Sequence, residues 1–213
     1  AYNVPPTGKT LERGYDSRQW IGQKLITGVT PSTTPLPFAV TPAEKMTVAD
    51  VMDVLSNHYE GTEYDKTNGY QTSPHWTDER VICTSSTQES SVTVLRDGVP
   101  DPIKAVCWRT NGRPCAGPYI PWYLGMTSVP EGYNWMEPVV GNSIQFAPHS
   151  ALYDYDSTKA WWVFQDLQNA VDGQYGKAIG RVQQVWKDFQ DEIFAEQPAV
   201  DAIVTRLAAV DEQ

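Results

Sequence analysis

The chain has 213 residues, 40% hydrophobic and 20% charged, enough to bury a sizeable core without disulfide or metal support. Its 16 Lys and Arg against 26 Asp and Glu give a net charge of −10, which argues against nucleic-acid or anionic-membrane partners. No apolar run approaches the roughly 18 residues of a transmembrane helix, so an acidic globular fold is expected.

Residues 1–46 carry Pro5, Pro6, Pro31, Pro35, Pro37 and Pro42 among Thr, Ser and Gly, and read as an arm or connecting segment. Within it, Leu11 to Ile26 holds Tyr15, Trp20 and Leu25, which suit a short helix or turn. The opening Ala1-Tyr2-Asn3-Val4 has neither an initiator Met nor a basic-then-apolar leader, so a cut or processed chain is expected.

Residues 47–150 read as the α+β core. Thr47 and Asp50 have capping-box spacing, and Val48, Val51, Met52 and Leu55 follow on one helical stripe, predicting a helix to about Tyr59 that stops at Gly61. Val81-Ile82-Cys83 reads as a strand, and Ser90–Arg96 alternates with Val92 and Val94 on one face. Asp97-Gly98 turns the chain, Ile103–Arg109 returns antiparallel, and Asn111-Gly112 marks a second turn. Tyr119, Trp122, Tyr123, Tyr133 and Trp135 then require ordered loops to pack in.

Residues 151–213 read as an acidic helical segment of the same domain, with 5 basic and 11 acidic side chains. Trp161, Phe164, Leu167 and Val171 share a stripe that Gly173 and Gly176 interrupt, and Ile179, Val182, Trp186, Phe189 and Ile193 resume it. Pro198 sits where a separate last helix would begin.

The chemistry-bearing residues are scattered. His58, His75 and His149 lie in different segments without short ligand spacing, and there is no C-x-x-C, so neither a metal nor another cofactor is expected. Cys83, Cys107 and Cys115 are an odd set, simplest as reduced structural thiols; Cys115, beside Arg113, is the one with a cation to lower its pKa. The densest polar run is Arg80 to Cys83 followed by Thr87-Gln88-Glu89-Ser90. Arg80 in it reads equally well as a bidentate carboxylate ligand or as a surface arginine.

Five ordered motifs point to a family: His58-Tyr59-Glu60-Gly61-Thr62 with Tyr64-Asp65, Arg80-x-Ile82-Cys83, Thr87-Gln88-Glu89-Ser90, Gly112-Arg113-Pro114-Cys115, and Pro118-Tyr119-x-Pro121-Trp122-Tyr123. Together they resemble the C69 family of dipeptidases, with looser fits at Tyr15–Trp20, Val171-Asp172 and Val185-Trp186. The resemblance implies an N-terminal-nucleophile cysteine hydrolase with an αββα sandwich, cleaving dipeptides without a metal. The nucleophile would be a cysteine freed as the first residue by propeptide removal, with its own α-amine as base.

Here residue 1 is Ala and no cysteine is terminal, so this chain is expected to be the C-terminal part, its partner the missing N-terminal half. Taken alone it is expected to be inactive. Within it the resemblance implies Arg80 as the residue stabilising charge near the nucleophile, and Thr87, Gln88 and Glu89 as substrate-pocket residues. Homo-oligomerisation stays open. So do two rival readings, a non-catalytic binding module presenting its 8 Trp and 11 Tyr, and a processed subunit of a two-chain hydrolase.

Overall fold

A computed structural model of the chain describes residues 17–32, 35–67, 73–76, 80–134 and 154–211. Tyr15, Trp135 and His149, named above, lie outside these residues. The fold is α+β, with a three-stranded antiparallel sheet in the middle and a helical C-terminal portion.

Two short helices precede the sheet. α1 (Ser17–Thr27) buries Trp20 and Ile21, which pack with Leu36, Tyr59 and Val81 into one cluster. α2 (Val48–Leu55) starts at the expected capping box: the Asp50 amide donates to Thr47 Oγ1, and the Thr47 amide donates to Asp50 Oδ2 at 2.6 Å. α2 ends at Leu55, before the expected Tyr59. Beyond it Asn57 turns the chain, its Oδ1 accepting from the Tyr59 amide at 2.8 Å, and Tyr59 adopts a left-handed φ of 70°. That conformation is costly for a residue with a Cβ and cannot extend a helix.

The sheet is a meander of β1 (Glu89–Leu95), β2 (Ala105–Asn111) and β3 (Ile120–Tyr123), in the order β1-β2-β3. Val92 pairs with Trp108 and Ser91 with Arg109, while Val106 pairs with Tyr123. A single turn of helix, α3 (Asp101–Lys104), occupies the start of the expected return strand, because Pro100 and Pro102 remove ladder donors there.

Alternation gives the sheet two unlike faces. Val92, Val94, Val106 and Trp108 pack with Met52 of α2 and with Ile193 and Phe194 of the last helix. On the opposite face Glu89, Ser91, Thr93, Leu95 and Arg109 are exposed, Leu95 by 79%. Among the described residues, α2 and the last helix pack on the first of these faces, while the β1 part of the second is left exposed.

Val81-Ile82-Cys83 is not a strand. Val81 is spent in the α1 cluster and the Cys83 amide bonds the Asn57 carbonyl at 3.3 Å, so the segment is pinned to the end of α2 and joins no ladder. A short apolar run does not reveal this by periodicity alone.

The C-terminal helices are α4 (Ala160–Gly173) and α5 (Tyr175–Asp211), divided at the expected glycine. Pro198 does not start a new helix; α5 runs through it. The lost N–H there costs one intrahelical bond, and Arg96, at the end of β1, pairs with Asp201 at 2.5 Å and holds the helix beyond the proline. Among the described residues no helix is long and apolar enough to cross a membrane.

Candidate functional site

Two polar centres stand out, and they differ in exposure. The first is sealed. His58 follows α2, His75 sits in the 3-10 turn Pro74–Trp76, Cys83 is in the pinned segment, and Cys115 is in a second 3-10 turn, Pro114–Ala116. Their ligating atoms all lie within 4.8 Å of one another. His58 Nε2 is 3.0 Å from His75 Nε2, which in turn is 3.6 Å from Cys83 Sγ and 3.4 Å from Cys115 Sγ.

Carboxylates back both imidazoles. His58 Nδ1 is 2.8 Å from Glu60 Oε1, and His75 Nδ1 is 2.7 Å from Asp172 Oδ1. Asp172, on α4, also accepts from Ser73 Oγ at 2.9 Å and lies 3.5 Å from the Arg113 guanidinium. One turn earlier on the same face, Gln168 accepts the Arg113 amide at 2.9 Å and donates to the Asn111 carbonyl at 2.8 Å. Gly112, at φ 70°, lets the chain turn under this amide: a Cβ would meet Gln168 Oε1 at 2.3 Å. Tyr175 closes the centre, edge-on to both imidazoles.

The electrostatics follow. Burial opposes ionisation of Cys83, but hydrogen bonds from Cys115, His58 and His75 outweigh it and hold the thiol well below its ordinary pKa. The Cys115 thiol, donating to Cys83 and buried beside it, is pushed up. Burial pulls His58 down, yet Cys83 and Glu60 raise it to about 9. Burial would raise Asp172; His75, Arg113 and Ser73 keep it below the usual carboxylate range. Cysteine, histidine and aspartate in line resemble a nucleophile and its base, but the low-pKa thiol, Cys83, is wholly buried. Cys115 borders a cleft of about 640 Å³ beside Met52 and Trp186, and its thiol is the raised one.

The three cysteines are free thiols. Cys107 stands apart, half-buried in β2.

The second centre is open. A cleft of about 640 Å³ on the uncovered side of the sheet is lined by Gln88, Arg109, Asn111, Trp122, Tyr133, Lys159, Trp161 and Trp162. Glu89 pairs with Arg109 across the strands, each side chain about half exposed. Of the expected substrate residues, Gln88 lines this cleft, Glu89 stands at its Arg109 wall, and Thr87 turns away to accept the Thr84 amide at 3.0 Å. Arg80 does not join them. It is exposed, and its carbonyl accepts from Tyr59 Oη at 3.0 Å and from Ser17 Oγ.

The sealed centre is what sequence spacing missed, since its members arrive from five separate segments. Yet the motifs that carried the family resemblance contain His58, Cys83, Cys115 and Asp172; only His75 lies outside them.

Residues 8–188 match the sequence profile of Peptidase family C69. A probable dipeptidase of Latilactobacillus sakei is 29% identical over 174 residues, covering 80% of this chain and 33% of its own length. A probable dipeptidase of Salmonella dublin is 36% identical over 102 residues, covering 48% and 23%. Probable dipeptidase B of Lactococcus lactis is 26% identical over 160 residues, covering 74% and 31%. The chain thus spans about a third or less of the length of these relatives. By the breadth of the profile match, the chain belongs to peptidase family C69.

Proposed function

We propose that this chain is the C-terminal part of a cysteine-dependent dipeptidase whose nucleophile is supplied by sequence outside these 213 residues. The observation that carries the reading is the exposed β1 face of the sheet. Helices pack on the Val106–Trp108 face while the Glu89–Leu95 face stays open, as expected of one α–β half of an αββα sandwich. A second sheet from the N-terminal half would cover the open face and enclose the Gln88–Trp162 cleft.

In the assembled enzyme the α-amine of an N-terminal cysteine takes the thiol proton, and the thiolate attacks the dipeptide carbonyl. The α-ammonium returns its proton to the leaving nitrogen as the tetrahedral intermediate collapses to a thioester, releasing the amine product. Water then attacks the thioester, freeing the acid and regenerating the thiol. Glu89 and Arg109 offer opposite charges to the dipeptide's α-amine and α-carboxylate, with Gln88 beside them and Thr87 fixing the loop. The charge-stabilising role that the resemblance implies for Arg80 would have to be met from outside this cleft, since Arg80 is exposed and does not line it.

The binding-module alternative draws less support. Trp20 and Trp108 are core residues, and among the described tryptophans Trp76 alone is exposed, so these present no row of open rings.

The test compares dipeptide hydrolysis by this chain with that by a longer natural chain that begins, after processing, with cysteine. Activity is expected only in the longer chain, and replacing its terminal cysteine with alanine should abolish it. Dipeptide cleavage by the 213-residue chain by itself would overturn the proposal.

A further inference from the structure

The sealed cluster has the donor set and spacing of a tetrahedral metal centre. Zinc bonds of about 2.0–2.1 Å to nitrogen and 2.3 Å to sulfur imply tetrahedral edges of about 3.3 Å between nitrogens and 3.5 Å between nitrogen and sulfur. Of the six separations, the three from His75 are 3.0 Å to His58, 3.6 Å to Cys83 and 3.4 Å to Cys115, and the other three lie within 4.8 Å, so a bound metal would draw His58 and the sulfurs slightly inward.

The hydrogen bonds around the imidazoles make the same case independently. Each Nδ1 faces a carboxylate that can only accept, so each Nδ1 carries the proton. Without a metal, a proton on one imidazole bridges the 3.0 Å Nε2–Nε2 contact; with both imidazoles neutral, each points an Nε2 lone pair into the cluster. That contact is repulsive unless a positive charge, a proton or a cation, lies between them. A proton satisfies the imidazole pair and one thiolate, whereas a cation would use all four donors, the two cysteine sulfurs included, which lie within 4.8 Å of one another and of both nitrogens. Carboxylate–histidine pairs of this kind orient the ligands of metal sites and raise their basicity.

We propose that His58 Nε2, His75 Nε2, Cys83 Sγ and Cys115 Sγ bind one tetrahedral, borderline-soft divalent cation, Zn²⁺ being the best match. Mixed thiolate and imidazole donors select zinc over magnesium or calcium. Four protein ligands leave no position for water or substrate, so the metal is structural. It clamps the end of α2, the 73–76 turn, the pinned 81–83 segment and the 114–116 turn together. Binding displaces two protons to solvent, that of the Cys115 thiol and the one held between the imidazoles and Cys83, and the two thiolates balance the charge of the cation. The inference stands apart from the dipeptidase reading.

The test is metal content and spectroscopy of the protein prepared reduced and without a metal-binding tag. One zinc per chain should survive dialysis against metal-free buffer. Cobalt exchanged into the site should give the intense visible bands of tetrahedral Co²⁺ with thiolate charge-transfer in the near ultraviolet. Cys107→Ser should keep both signals and Cys115→Ser should lose them. Glu60→Ala, at a side chain 41% exposed and outside the core, should bind zinc about 10–100-fold more weakly in competition with a chelating dye. Folded, reduced wild-type protein that takes up no zinc or cobalt would overturn the proposal, as would bound cobalt without thiolate bands. If Cys115→Ser fails to fold, the cobalt spectrum of the wild type and the Glu60→Ala affinity decide.

Discussion

The sealed and open centres use similar chemistry at opposite degrees of exposure. Asp172 and Arg113 form an ion pair with side chains 4% and 5% exposed, whereas Glu89 and Arg109 are each 49% exposed. Water screens the open pair, which is then worth about 0–1 kcal/mol and can exchange its partner for a ligand. The sealed pair has no water to fall back on, so removing one member strands the other. Burial thus separates a centre whose members are costly to remove from one whose charges stay open to exchange.

Asp172→Ala puts this contrast to its hardest test. It removes the partner of His75, Ser73 and Arg113 together, and a loss of about 3–5 kcal/mol in denaturant unfolding is expected. A loss under about 1 kcal/mol would mean that the sealed centre is no more costly to break than a surface pair. Gly112→Ala attacks the same centre from the backbone. The methyl group would meet Gln168 Oε1 and the residue would keep a left-handed φ, so about 1–3 kcal/mol should be lost. Unfolding midpoints at constant slope would measure it.

Thr47→Ala supplies a calibration away from both centres. It removes one arm of the capping box at the exposed start of α2 and should cost about 1 kcal/mol, below either change at the sealed centre. A larger loss at Thr47 than at Gly112 would invert the comparison.

What could be read from the residues follows the same division. The capping box at Thr47 and Asp50, the alternation around Val92 and Val94, and the glycine break near Gly173 are local signals that the fold preserves. Val81–Cys83 misleads because its apolar side chains serve a helix cluster, a tertiary use with no local mark. Pro198 misleads because a proline's cost can be met by contacts elsewhere, here Arg96 with Asp201. The sealed centre is the extreme case: His75 and Asp172 are 97 residues apart and His75 and Cys115 are 40 apart, so no spacing rule reaches them. Gln88 and Glu89 are adjacent at a strand entrance, and the structure puts Gln88 in the wall of the open cleft and pairs Glu89 with Arg109 beside it.

The smallest expected effect on stability falls at the open pair, and there the comparison can be sharpened most. Glu89→Gln, Arg109→Gln and the double variant should each lie within about 1 kcal/mol of wild type, with a coupling energy of about 0.2–1 kcal/mol that shrinks as salt rises. In the assembled dipeptidase the same three variants should act on the substrate termini. Losing Glu89 weakens the hold on the α-amine, so KM should rise more than kcat falls, and dipeptides with a blocked amine should lose the distinction between variant and wild type. Arg109→Gln should show the mirror pattern with blocked carboxylates. Should both variants prove silent on KM while costing more than about 2 kcal/mol in stability, the pair would be structural like its sealed counterpart. The open face would then lose its claim to the substrate.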